Sequence, residues 1–351
     1  MNSTGAAGVV SVMIPAHNAA ETLRETLDSV LRQTYRPIEV VIVDDGSTDG
    51  TGHIASEFAS ASSSDQLTVI VRRQENRGLL ATRNVALGLS RGEFLQFLDA
   101  DDLMHPHKVA MCVREMATGE WDVVVGRTTR FRSAEALGPM LTGAPLPRLW
   151  KRSELLCSSI TSNYWHTVGP LFRRSIVMRV GEFPRHVHPV VEEMEFHGRV
   201  KLATQRIKYL PWLLNFYRVG KESSVTGNIR RLYEGRLQGA SVATQLLVDA
   251  NVSSVKEWAS LYWMSLKTYS QIVSHDAGTG LSREARESWL AVASNWHPWL
   301  GAACRIPPAK PMEFIMRASF RLRQRIGRKG SLESYQKASA AVAEPASSHE
   351  L

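Results

Sequence analysis

Cysteine is scarce: Cys112, Cys157 and Cys304 are the whole supply in 351 residues. They are far apart, odd in number and form no CxxC pair. That argues against a disulfide framework or a cysteine zinc site and fits a reducing compartment. Long hydrophobic runs are missing too. No stretch approaches the roughly 18 apolar residues of a membrane span. The opening MNSTGAAG has neither the basic nor the apolar region of a secretory signal. The expectation is a cytoplasmic protein, with room for peripheral contact at the inner face of the membrane. Acidic residues are the minority, 34 Asp+Glu against 42 Lys+Arg, a net charge of +8. Part of the excess sits in MRASFRLRQRIGRKG (Met316–Gly330), which contains no acid. A basic balance permits phosphate-rich ligands, nucleic acid or an anionic membrane and does not choose among them.

What is present is a regular beat over the first 125 residues or so. VVSVMIP (Val9–Pro15) is a short apolar run, followed by ETLRETLDSVLRQ (Glu21–Gln33). Leu23, Leu27, Val30 and Leu31 of that segment fall on one helical face. IEVVIV (Ile38–Val43) is β-branched and continuous, as a strand buried on both faces requires. DDGSTDGT is turn chemistry, with Ser47 or Thr48 as a cap for the next helix. Strands are expected at Leu67–Arg72, Glu93–Leu98 and Trp121–Gly126, and helices at Leu79–Ser90 and His105–Thr118, with Ala59–Asp65 as a surface loop. Strand–helix alternation at this spacing predicts an α/β fold: a mainly parallel sheet with helices on both faces.

After Gly126 the beat stops. Ala136–Trp150 is rich in Pro and Gly and reads as a long connection. From about Asn228 to Leu300 the pattern is helical, and the last twenty residues read as a frayed tail. The expected organisation is a disordered start (1–8), two halves of one α/β domain (9–126 and 127–227), a helical region with a basic end (228–330) and a disordered tail (331–351).

Polar residues fall in a telling place. In open parallel sheets, ligands bind beyond the carboxyl ends of the strands. The first strand is followed by Ala16, His17 and Asn18, the second by Asp44 and Asp45, the fourth by Asp99, Asp101 and Asp102. All should meet at one rim. Like charges this close need a cation or open water between them. Carboxylates at D-x-D spacing suit Mg²⁺ or Mn²⁺, which keep part of their shell for phosphate oxygens and water. The plainer accounts are an Asx-turn at Asp44–Asp45 and a solvated loop at Asp99–Asp102; a D-x-D alone is weak, and the two clusters together are stronger.

SVMIPAHNAAETLRETLDSVLRQTYRPIEVVIVDDGSTDGT and ENRGLLATRNVALGLSRGEFLQFLDADD, followed by GPLFRRSIVMRVGEF and VEEMEFHGRV, resemble the linked blocks of glycosyltransferase family 2 over roughly residues 9 to 225. The resemblance implies the GT-A fold and an inverting transferase that uses a nucleotide-diphosphate sugar, with a UDP-sugar favoured. It implies that Pro15, Ala16 and Asn18 pack on the nucleotide, that Asp45 reads the base, and that Arg77, Gly78 and Asn84 frame the nucleotide side. It implies Asp99 at the ribose, with Ala100 beside it, and Asp101 on the metal. The family's acidic pair matches Glu192 and Glu193, so Glu193 is the candidate general base; the commoner residue there is Asp, and the longer side chain changes the reach. Tyr217, Arg218 and Ser224 match an element that closes over the donor phosphates.

The family's processive members carry a Q-x-x-R-W motif that this sequence lacks, which favours single addition. The acceptor implied is a glycan or lipid-linked glycan, as in polysaccharide biosynthesis. Three rivals remain. A phosphotransferase with an aspartate nucleophile fits poorly, because the first strand ends in IPAHN. A catalytically inactive nucleotide-sugar-binding scaffold is left room by the Glu at position 193. Nucleic-acid binding is not expected, since no recognisable module accompanies the basic tail. Arg317–Lys329 is a candidate contact for anionic membrane, with a solvated helix as the alternative. His186–Val187–His188 lacks the partners of a zinc site. Trp150, Tyr164, Trp165 and Trp212 are candidates for stacking on a sugar or for the core.

Overall fold

Among the described residues, eight strands form one mixed sheet, with Leu67–Gln74 at one edge and Leu103–Met104 at the other. The computed structural model describes residues 5–141, 165–184, 191–220 and 229–252, with isolated positions at 261, 268, 272 and 287. The strands are β1 (Ala6–Ala16), β2 (Ile38–Asp45), β3 (Leu67–Gln74), β4 (Gly92–Phe97), β5 (Leu103–Met104), β6 (Val123–Phe131), β7 (Pro170–Arg173) and β8 (Ile207–Arg218). The helices are α1 (Leu23–Leu31), α2 (Thr51–Ser62), α3 (Leu79–Leu89), α4 (Lys108–Met116), α5 (Gly138–Leu141), α6 (Arg174–Val180), α7 (Glu192–Ala203) and α8 (Ile229–Asp249).

The first half is the expected βαβ series. β3, β2, β1 and β4 pair in parallel. Every residue of β2 is buried, which is why its sequence shows no alternation. The pleat divides its side chains: Ile38, Val40 and Ile42 join Leu23 and Leu27 of α1, Phe58 of α2 and Val109 of α4. Val41 and Val43 join Ala86 and Leu87 of α3, Ile176 of α6 and Phe196 of α7. Helices therefore cover both faces. In the second half, β7 runs antiparallel to β4 and β6, and β8 runs parallel to β6. That reversal matters for function. Because Gln96 pairs with Leu171 in opposite sense, the chain entering β7 arrives at the rim where β4 ends.

Several boundaries differ from the sequence reading. β1 begins at Ala6, inside the segment expected to be disordered. β6 runs across Gly126 to Phe131, because β8 pairs with it as far as Phe131–Arg218. The expected loop at Ala59–Asp65 is helical as far as Ser62. Ser47 and Thr48 cap nothing: α2 starts behind Gly50 without a side-chain cap. They join two turns instead. Ser47 Oγ accepts the Asn18 N–H at 3.0 Å, and the Thr48 N–H donates to Asn18 Oδ1 at 2.9 Å. Much of Ala136–Trp150, all of His186–His188, Ser224 and the tail including Arg317–Lys329 lie outside the described residues. Among the described residues no helix is long and apolar enough to cross a membrane.

Candidate active site

The carboxyl ends of β1, β2 and β4 bring the first two expected clusters to one rim. At the end of β1, Pro15 and Ala16 are buried and Asn18 holds a left-handed φ of 47°. His17 turns its ring back so that Nδ1 lies 2.8 Å from the Asp45 carbonyl oxygen. A carbonyl only accepts, so Nδ1 carries the proton. Nε2 then accepts from the amide of Asn18 or Asn76, each at 3.2 Å.

Asp45 stitches the rim together. It is 3% exposed. Its Oδ1 accepts from Gln74 Nε2 at 2.7 Å and from the Arg77 N–H at 2.9 Å; Oδ2 accepts the Gly78 N–H at 2.9 Å. A carboxylate at the start of α3 is also favoured by the helix dipole. Gly78 has φ +84°, which a side chain would strain. The Arg77 side chain is exposed. Asn84 points elsewhere: its amide exchanges two hydrogen bonds with the Phe183 backbone, at 3.0 and 2.8 Å.

Its neighbour Arg83, 1% exposed, is the residue of α3 that faces the acids. Arg83 Nη2 donates to Asp99 Oδ1 at 2.7 Å and to Thr167 Oγ1 at 3.2 Å. The Thr167 hydroxyl and its backbone N–H both donate to Glu193 Oε1, the latter at 3.2 Å. Asp99 and Glu193, 94 positions apart in sequence, are thus linked through two side chains. The sequence reading missed Arg83 and Thr167. Arg83 had a usable signal, a basic residue on the helix that opens at the acid rim; a lone loop threonine has none.

The rest of the D-x-D loop is gripped from β8. The Arg218 N–H donates to Asp102 Oδ1 at 2.8 Å and Arg218 Nε to the Asp101 carbonyl at 2.8 Å, while its guanidinium pairs with Glu25. Arg218 is thereby a clamp on the loop. Tyr217 stacks on His166, ring centroids 4.2 Å apart. Glu192 opens α7. Ala100 is buried between the two aspartates.

Electrostatics follow from this crowding. Burial first, then the neighbouring Asp101 and Asp99 charges, pushes the Asp102 carboxyl well above the usual range. Burial also raises Glu193, opposed by the Arg83 charge and the Thr167 hydrogen bonds. His166 is lowered to about 4 by burial and by Arg130, so its ring is neutral near pH 7. His197 is held well below its ordinary value by burial and Lys201, and lies among Trp165, Phe172 and Phe196. Trp165 is therefore core.

Among the described residues no three His, Cys, Asp or Glu side chains form a ready-made metal cage. The donor set nevertheless fits a hard divalent ion that shares its shell with a ligand's phosphates. Asp99 and Asp101 are only half-buried, and Asp102 Oδ2 is buried with no hydrogen-bond partner among the described residues.

The sequence profile of glycosyl transferase family 2 matches residues 11–181. Over that span, just under half of the chain, the sequence is similar to glycosyl transferase family 2. An uncharacterized glycosyltransferase of Nostoc sp. is 32% identical over 225 residues, 60% of this chain and 64% of that relative. The chain thus spans less than two thirds of that relative's length, and 18% of a Streptococcus pneumoniae glycosyltransferase, GlyA, that it matches over 128 residues. Among solved structures, S. aureus TarS 1-349 in complex with UDP-GlcNAc superposes with a TM-score of 0.63 at 18% identity, covering 84% of this chain and 83% of that one. The mannosyltransferase PcManGT of Pyrobaculum calidifontis, in complex with GDP-Man and Mn²⁺, gives 0.51 at 20% identity over 84% of each chain. The fold is the GT-A fold that these transferases share.

Proposed function

We propose that this chain is an inverting glycosyltransferase that moves one sugar from a nucleotide-diphosphate sugar to a hydroxyl of a glycan or lipid-linked glycan. The observation that carries the reading is the convergence of Asp45, Asp99, Asp101 and Glu193 on one rim, with Arg83 and Thr167 linking Asp99 to Glu193. The family match and the UDP-GlcNAc and GDP-Man complexes of the neighbours support a nucleotide-sugar donor. Residues 9–126 would form the nucleotide half and 127–227 the acceptor half, with 228–330 as a helical appendage.

Pro15, Ala16, Asn18, Arg77 and Gly78 would frame the nucleotide, and Asp45, by holding the turn at Asn76–Gly78, would set the wall of the base pocket. Asp101 would hold Mg²⁺ or Mn²⁺, with Asp99 beside it. That ion, when bound, supplies positive charge where negative charge builds on the leaving diphosphate. Glu193 takes the proton of the acceptor hydroxyl. The acceptor oxygen bonds to the anomeric carbon as the carbon–phosphate oxygen bond breaks, and the transition state is oxocarbenium-like. Attack from the face opposite the leaving group inverts the centre.

The test is release of nucleoside diphosphate from a panel of UDP-, GDP- and TDP-sugars with mixed glycan acceptors, run on the native chain and on Glu193→Gln. The reading predicts turnover by the native chain and loss of about 100-fold or more in the variant, with UDP or GDP binding retained. Equal turnover in both would contradict it.

A further inference from the structure

Three features outside the assigned roles stand out: an open polar pocket beside Asp44 and Arg73, the buried lysine Lys108, and Thr167. The pocket is bordered by Asp44, whose charge Arg73 already faces at 3.5 Å. Lys108 donates to Gln96 Oε1 and to the Val168 carbonyl, and so serves the segment that carries Thr167. The geometry carries furthest at Thr167.

Thr167 is 3% exposed and spends two donors on a single oxygen, Glu193 Oε1. A hydroxyl has one proton. Since that proton goes to Glu193, its oxygen is left to accept, and Arg83 Nη2 supplies the donor at 3.2 Å. A guanidinium never gives up its charge in a protein, so the direction of this chain is fixed: Arg83 to Thr167 to Glu193. A hydroxyl that accepts from a cation is a stronger donor. The segment is itself held rigid. Gln96 Nε2 donates to the Val168 carbonyl at 3.1 Å and Lys108 Nζ to the same oxygen at 2.6 Å.

We propose that Thr167, primed by Arg83, is a positioning residue for Glu193, holding one carboxylate oxygen in place and favouring the ionised form that accepts a proton. Burial alone works the other way, since removing a carboxylate from water favours its neutral form. The groups facing Glu193 come from several elements: Arg83 of α3, Asp99 and Asp102 after β4, and Tyr217 of β8. The acids among them oppose ionisation. Arg83 and Thr167 are the counterweight, and Thr167 is the one that also fixes direction. The proposal rests on Glu193 being the base of the reaction described above.

The experiment reads Glu193 directly. Full-length protein carrying [¹³Cδ]-glutamate is titrated by NMR, with the Glu193 signal assigned by its loss in Glu193→Gln. Thr167→Val should raise the Glu193 midpoint by about one pH unit or more, and Thr167→Ser should restore the native midpoint. If Thr167→Val does not fold, Thr167→Ala serves, and its midpoint should rise likewise. An unmoved midpoint in Val or Ala, or a midpoint raised equally in Ser, overturns the proposal. The readout does not need turnover. A protein that binds none of UDP, GDP and TDP with Mn²⁺ or Mg²⁺ would remove the transferase reading while leaving the Thr167–Glu193 result to stand or fall alone.

Discussion

Arg83 Nη2 lies 2.7 Å from Asp99 Oδ1, a nearly solvent-free cation against a carboxylate that is 23% exposed. The pair places positive charge under the acid rim before any ligand arrives. It also links α3 to the loop after β4.

Removing that cation leaves Asp99 and Glu193 without their counter-charge. Breaking a buried pair from one side typically costs about 3–5 kcal/mol; partial exposure of Asp99 puts Arg83→Met near the lower end, about 3 kcal/mol. Urea unfolding at pH 7 measures it. A loss below about 0.5 kcal/mol would show the pair to be of the weak surface kind.

Asp45 gives a second prediction. Asparagine would put one NH₂ against groups that donate. Asp45→Asn should cost about 1–3 kcal/mol, with faster proteolysis at Arg77, the turn whose N–H groups lose their acceptor. Nucleotide affinity should fall with it. Unchanged cleavage and affinity would separate Asp45 from the turn.

Lys108 predicts a pH dependence of stability. Burial lowers it to about 7, whereas an unfolded lysine titrates near 10.4. Between those values the unfolded chain holds a proton that the folded chain does not, so stability from this group rises with pH across about 7 to 10. Below 7 both states are protonated and the slope vanishes. Lys108→Met should flatten that rise in urea midpoints measured from pH 6 to 10.

Gly78 predicts a local cost. At φ +84° an added Cβ meets no atom within 4 Å, so only backbone strain opposes Gly78→Ala. With ψ at 161° the residue lies in a region that only glycine adopts readily, so the loss should be about 1–3 kcal/mol, read as a shift of the thermal midpoint. A stabilised variant would mean that the turn relaxes.

How much of this was legible in the sequence depended on range. β2 announced itself because all eight of its residues are buried, and a continuous β-branched run has few other uses. The acid rim was legible because Asp44 and Asp45 end β2 and Asp99 comes two residues after β4. β5, two residues long, was not, because it exists only through pairing with Phe216 and Asn215 far along the chain. The extension of β6 beyond Gly126 likewise depends on β8. Asn84 drew attention within ATRN, yet its amide serves the Phe183 backbone, and Arg83 faces the site. Local pattern alone does not tell which of two adjacent polar residues on a helix points inward. Thr167 is 26 positions from Glu193 and 84 from Arg83, so only the folded chain could bring it into view.

The central claim is a metal-dependent nucleotide site at the acid rim. Isothermal titration with UDP, GDP and TDP, with and without Mn²⁺, on the native chain and on Asp101→Ala tests it most directly. The account predicts that one nucleotide binds, that Mn²⁺ strengthens binding, and that Asp101→Ala abolishes the Mn²⁺ effect. No binding of any of the three with either Mn²⁺ or Mg²⁺ would contradict it.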